Sequence, residues 1–180
     1  EVVLEAVRQR GFALRHAAQA LRSDREVVRA AVEQNGFALQ YAADHLRNDQ
    51  GIVQAAVAKH GGALQFAGGE ARSARDVVIS AVAQHGDALQ HAAHHMKCNR
   101  EIVLAAVGSW GCALQHASAE LRADAEVALA AVRREGTALQ YVSGALAANK
   151  ELVLAAVSQC HHASRYADDS LHSDDDVVDL

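Results

Sequence analysis

Hydrophobic positions recur every 25 residues along this 180-residue chain, and no insertion interrupts them. The sixth position of each repeat is alanine and the seventh is valine, seven times in succession. The repeats begin at Glu1, Glu26, Gly51, Asp76, Glu101, Glu126 and Glu151, and a partial eighth repeat begins at Asp176. A strict period of this length is typical of a solenoid, in which each repeat buries its apolar face only against its neighbours.

Each repeat is predicted to form two short helices. In the second repeat Asp24 lies where an N-cap is needed, because its short side chain can accept hydrogen bonds from the first free N–H groups of a helix. The residues that follow place an apolar face at helical spacing, namely Val27, Val28, Ala31 and Val32. The first helix of the repeat is therefore predicted to begin just after Asp24.

Gly36 is predicted to end that first helix in a left-handed conformation, which glycine adopts at little cost. The second helix is predicted to run without a break from Phe37 to Arg47. Its buried stripe is expected to comprise Leu39, Ala42, Ala43 and Leu46.

The fold class that follows is all-α: an α-solenoid of seven 25-residue helix-turn-helix repeats over residues 1–180, elongated or gently curved. Composition supports it, because alanine is the best helix former, aromatic residues make up only 4% of the chain and proline is absent. Such short helices are marginal alone, so their stability must come from stacking on neighbouring repeats.

The repeat resembles domain of unknown function 4116 over the whole chain. The second repeat carries the motif at Asp24-Arg25-Glu26-Val27-Val28, Ala31-Val32, Asn35-Gly36, Ala38-Leu39-Gln40-Tyr41-Ala42 and Leu46-Arg47-Asn48-Asp49. The last repeat departs from it at His161, Ser164 and Asp168. The resemblance implies tandem arrays that are often joined to other domains, and it brings no activity with it.

The sixteenth position of each repeat holds a flat side chain. The column comprises His16, Tyr41, Phe66, His91, His116, Tyr141 and Tyr166. One interpretation is a groove that binds a partner. The other is packing between repeats, with the polar tip of each ring reaching water.

A basic row occupies the position six residues further on. It comprises Arg22, Arg47, Arg72, Lys97 and Arg122. Each side chain could interact with the negative end of its own helix. Alternatively, the row is an edge that binds anionic groups of a partner.

A glutamine column precedes the flat side chains. It comprises Gln40, Gln65, Gln90, Gln115 and Gln140. We expect these amides to bond to the neighbouring repeat or its turn, with direct contact to a partner as the alternative.

Histidines cluster in the fourth and fifth repeats. If successive second helices stack side by side, a two-by-two block forms from His91, His95, His116 and Glu120. Zinc accepts three histidines and a carboxylate, so a zinc site is one hypothesis. Ordinary surface histidines are the other, and no other cofactor is expected.

The net charge of −5 argues against a nucleic-acid binder that relies on phosphate neutralisation. No apolar run approaches 18 residues, so the chain is not expected to span a membrane. Three cysteines without a disulfide framework predict an intracellular, reducing compartment, with the choice between cytoplasm and an organelle left open.

No catalytic motif interrupts the repeats, so the chain is not expected to be an enzyme. The function predicted is a helical-repeat scaffold that mediates protein–protein interaction, as a structural subunit or as one segment of a larger assembly. A start without methionine and a stop inside an eighth repeat favour the latter. The alternatives are a nucleic-acid-binding repeat and a metal-binding repeat.

Overall fold

The computed structural model describes residues 2–172, 174 and 176, and within that part of the chain every regular element is a helix. The predicted all-α fold of tandem helical repeats is confirmed. Two compact units divide the chain, an N-terminal half, Glu1–Met96, and a C-terminal half, Lys97–Leu180. That the two halves form a single continuous array stays a prediction.

Three helical segments, not two, make up each repeat. The first is an α-helix: Val2–Gln9, Arg25–Gln34, Gln50–Lys59, Arg75–Gln84, Arg100–Ser109, Ala125–Arg134 and Lys150–Gln159. The second is a 3-10 helix: Gly11–His16, Gly36–Tyr41, Gly61–Phe66, Gly86–His91, Gly111–His116, Gly136–Tyr141 and His161–Tyr166. The third is an α-helical turn at Gln19–Arg22, Asp44–Arg47, His94–Lys97 and Ala119–Arg122, and a 3-10 turn at Ala71–Ser73, Gly144–Ala148 and Asp169–Leu171.

The predicted N-cap of the first helix is present. The Asp24 carboxylate accepts hydrogen bonds from the N–H groups of Glu26 and Val27, at 2.9 and 3.1 Å. Asp49 caps the next repeat in the same way through the N–H of Ile52. A short polar side chain at this position therefore fixes where each of these first helices begins.

The predicted core also forms. Val28, Ala31 and Val32 have no exposed surface, and Val27 is 7% exposed. From the second segment Leu39 is fully buried. Small alanine and valine side chains let neighbouring helices approach closely, so within each half the repeats bury their apolar faces against one another.

The prediction of one unbroken helix from Phe37 to Arg47 is wrong. Ala42 and Ala43 are extended, at ψ angles of 151° and 154°, and they separate the 3-10 helix from the third segment. The break frees the N–H of Ala43, which donates to the carbonyl of Arg22 in the preceding repeat at 2.9 Å. In a continuous α-helix this N–H would bond to a carbonyl of the same helix. Because of the break it bonds to the preceding repeat instead and links the two backbones.

The predicted left-handed Gly36 is also wrong. Among the described residues the one positive φ is that of Gly144, at 64°. Gly36 instead opens the 3-10 helix and is buried. A Cβ there would collide with the carbonyl oxygen of Ala56 in the next repeat, so glycine is required by close approach between repeats.

Candidate binding groove

The flat side chains of the sixteenth position end the 3-10 helices, and those from Tyr41 to Tyr166 are half-buried. In the N-terminal half Tyr41 and Phe66 pack against the residue at the twelfth position of the preceding repeat. The rings of Phe12 and Tyr41 meet edge to face at 6.2 Å, and those of Phe37 and Phe66 do so at 6.4 Å. In each contact the edge of one ring meets the face of the other, which supports packing between repeats as one role of the column.

The basic row lies at the end of the third segments, where the main chain is bonded to the following repeat. Each carbonyl of the row accepts an N–H from the residue 21 positions later, at 2.7–3.0 Å. In the N-terminal half these bonds run from Ala43 to Arg22, from Gly68 to Arg47 and from Ala93 to Arg72. The backbone of each arginine is thereby held at a fixed place in its repeat.

Three guanidinium groups of the row, all in the N-terminal half, donate to oxygen atoms of side chains or of the 3-10 helix. Arg22 donates to Oε1 of Gln19 at 2.8 Å, and Arg72 donates to the carbonyl of Gln65 at 2.6 Å. Arg47 donates to Oδ1 of the exposed Asp44 at 2.5 Å. Each of these three guanidinium groups therefore lies beside its own third segment and bonds there to an oxygen atom.

One donor of these guanidinium groups stays unused. In the part of the chain that the structure describes, Nε is buried without a hydrogen-bond partner in Arg22, Arg47, Arg72 and Arg122. A buried donor without a partner costs folding free energy, on the order of 1–3 kcal/mol. The unpaired Nε recurs at the same position of four repeats. Internal hydrogen bonds therefore do not use all the donors of these four guanidinium groups.

The basic row and the aromatic column meet in one groove. Between the first two repeats lies a groove with a volume of about 620 Å³, lined chiefly by Gln19, Arg22, Gln40, Tyr41, Asp44 and Arg47. The sequence pattern did not indicate that the aromatic column and the basic row lie together. The extended residues after Tyr41 change the chain direction before the third segment, and side chains of both sets line this groove. Cationic, aromatic and amide groups therefore share one surface.

The C-terminal half repeats parts of this arrangement. The carbonyls of Lys97 and Arg122 accept from the N–H groups of Ser118 and Ser143, both at 3.0 Å. His116, Tyr141 and Tyr166 are half-buried at the ends of their 3-10 helices. Burial, with smaller contributions from nearby ionisable groups, raises the pKa of the Tyr141 phenol.

The amides of Gln40, Gln65 and Gln140 bond within their own repeats, where bonds to the neighbouring repeat or its turn were expected. Nε2 of Gln40 donates to the carbonyl of Phe37 at 3.0 Å, and Gln140 bonds to Thr137 in the same way. The 3-10 geometry explains this, because residues three apart lie one above the other.

Side chains that the sequence did not single out link the repeats instead. They accept from the first N–H groups of the preceding repeat's 3-10 helix: Gln34 from Gly11, His60 from Gly36, Gln84 from Gly61 and Glu135 from Cys112. They occupy the ninth or tenth position of their repeats, and their identities vary. Only the partial recurrence of glutamine at the ninth position, as in Gln34 and Gln84, could have indicated them.

The histidine hypothesis assumed a continuous second helix. His91 ends a 3-10 helix, whereas His95 lies in the separate segment His94–Lys97, so the two are not one helical turn apart. The other pair, His116 and Glu120, lies in the C-terminal half and is divided in the same way. Across the described residues no group of three or more His, Cys, Asp or Glu side chains is placed to hold a metal ion.

The geometry defines a tandem helical-repeat protein whose repeats are joined by backbone links. The family model described as Domain of unknown function (DUF4116) matches residues 1–47, 24–70, 75–122 and 99–147. The chain therefore belongs to this family. No curated protein and no solved structure matches it.

None of the helices in the described part of the chain combines the length and the apolar character that crossing a membrane requires.

Proposed function

We propose that the chain is a non-catalytic binding protein, and that the groove between its first two repeats receives an extended segment of a protein partner. One observation carries this proposal: Arg22, Tyr41 and Arg47 line the same groove. Arginine and tyrosine are enriched among the few interface residues that contribute most of the binding energy, because they combine a large contact area with directional polar groups.

The repeat architecture supports the proposal. Repeats that contact only their neighbours present extended surfaces, and such surfaces suit partners bound along several repeats. In this view the chain acts as a scaffold, and its partners are other proteins of a larger assembly.

Selection of displayed peptides tests the proposal. A library of random peptides is selected on the immobilised protein, and the affinity of enriched peptides is measured by fluorescence anisotropy. The groove variant is Tyr41→Ala. The matched control is Arg29→Gln. Arg29 is an exposed arginine that pairs with Glu33, and it lines a different surface pocket from the groove.

We expect enriched peptides to lose about tenfold in affinity for Tyr41→Ala, as for removal of an interface residue that contributes about 1.4 kcal/mol. Arg29→Gln should leave the affinity within twofold of the parent. The proposal is overturned if no peptide is enriched, or if the enriched peptides bind both variants equally.

A further inference from the structure

We propose that the groove recognises an acidic segment in an extended, polyproline-like conformation, with one carboxylate at every third residue. This inference rests on the proposed function and names the partner chemistry that its groove would take.

Charge is the first support. Arg22 and Arg47 both line the groove, and Arg72 occupies the same position one repeat further on. The three are half-buried, their main chains are held by the backbone links from Ala43, Gly68 and Ala93, and each guanidinium group has an internal oxygen acceptor. Guanidinium groups fixed in place bind carboxylates well, because little side-chain freedom is lost on binding.

The internal partners of these arginines give the second support. Within the described part of the chain each guanidinium donates to a nearby oxygen, and in the second repeat that oxygen belongs to the exposed carboxylate of Asp44. Asp44 thus occupies the place that an incoming carboxylate would take. In the first repeat the acceptor of Arg22 is the amide oxygen of Gln19. Because this oxygen carries no formal charge, it competes with a peptide carboxylate for Arg22 less strongly than Asp44 does for Arg47.

Spacing is the third support. Packed helices lie about 8–10 Å apart, so equivalent arginines of successive repeats are separated by roughly this distance. A polyproline II segment has three residues per turn and rises about 3.1 Å per residue, which returns a side chain to the same face after about 9.3 Å. In a β-strand the same face recurs after about 6.6 Å, which is too short to match the repeats.

The observations favour a peptide over a nucleic acid. Single strands are bound by successive aromatic side chains on which bases stack. The lining of this groove contains one Phe, Tyr or Trp side chain, Tyr41, and its ring already packs edge to face against Phe12, with ring centroids 6.2 Å apart.

The test compares four labelled ten-residue peptides, three of which share one composition and differ only in the positions of their four aspartates. One peptide carries them at every third residue, one at every second residue and one in a block; a fourth replaces them by asparagine. A ten-nucleotide oligouridylate is the nucleic-acid probe. Binding to the full chain is measured by fluorescence anisotropy at low salt.

We expect the peptide with third-residue spacing to bind at least about tenfold more tightly than the other peptides, since each well-placed carboxylate–arginine pair adds to affinity. Arg22→Gln and Arg47→Gln should each weaken it about tenfold. Asp44→Asn should strengthen it several-fold by removing the internal competitor, whereas Arg29→Gln should leave it unchanged. Because Asp44 is 88% exposed in its side chain, Asp44→Asn tests the inference even if an arginine variant fails to fold.

Equal affinity for all spacings, tighter binding of oligouridylate, or no gain in Asp44→Asn would overturn the inference. The library selection separates this failure from failure of the proposed function. If enriched peptides depend on Tyr41 but carry no acidic pattern, the groove binds peptides and only the acidic specificity is wrong.

Discussion

The backbone N–H of Gly36 donates a hydrogen bond to Nδ1 of His60, 3.0 Å away in the following repeat. The His60 ring also stacks on Phe37, with ring centroids 4.9 Å apart. One side chain therefore satisfies the first donor of a 3-10 helix and covers the aromatic residue beside it. Contacts of this kind set the register between repeats.

Removing the acceptor at this link should destabilise the N-terminal half. In His60→Phe the ring can still stack on Phe37, but the N–H of Gly36 loses its partner. We expect a loss of about 1–3 kcal/mol in the free energy of unfolding, the usual effect of leaving a part-buried donor unsatisfied. Urea denaturation followed by circular dichroism measures it, and an unchanged midpoint would show that water replaces the bond without loss.

Gly36→Ala should destabilise the chain by about 1–3 kcal/mol or more, because the added methyl group meets the carbonyl oxygen of Ala56 and the two repeats must move apart. Gly69→Ala is the matched control, since a Cβ at Gly69 has nothing within 4 Å. The two variants are compared in the same urea denaturation experiment. Similar midpoints for both would contradict the close approach.

The ion pair between Arg25 and Asp49 should make stability depend on pH. The hydrogen bond from Arg25 holds the pKa of the Asp49 carboxyl below its ordinary value of 3.8, and the helix N–H of Ile52 adds to this effect against the opposing effect of burial. A lowered folded pKa contributes stability that is present above pH 3.8 and is lost as the pH falls through the folded value.

Arg25→Gln should therefore be less stable than the parent at pH 7, and the difference should shrink as the pH falls below 3.8. Carboxyl-detected NMR titration of Asp49 should show its pKa rising towards 3.8 in the variant. A pKa of Asp49 that does not change with Arg25→Gln would rule out the ion pair as its cause.

Much of the fold could be predicted from the sequence because it depends on local patterns. The cap at Asp24 and the buried face of Val28, Ala31 and Val32 depend on spacing within one helix. The role of Gly36 could not be predicted, because the atom that requires glycine belongs to Ala56 in the next repeat. In the sequence alone, a glycine that follows a helix looks the same whether it forms a left-handed cap or is required by close approach of another repeat.

The break at Ala42 and Ala43 has no local signal. Alanine favours a helix, and neither glycine nor proline marks the site. The extended residues are stabilised by the bond from Ala43 to the carbonyl of Arg22, a contact between repeats. For this reason the sequence indicated the aromatic column and the basic row but not the groove that joins them.

Mapping a selected peptide onto the chain tests the binding function most directly. The backbone amides of the isotope-labelled protein are followed by two-dimensional NMR while a peptide from the library selection is added. We predict that the largest shifts occur at Arg22, Gln40, Tyr41 and Arg47, with little change at Arg29 and Glu33. Shifts centred on the latter pair, or spread evenly over the repeats, would contradict a binding role for the groove.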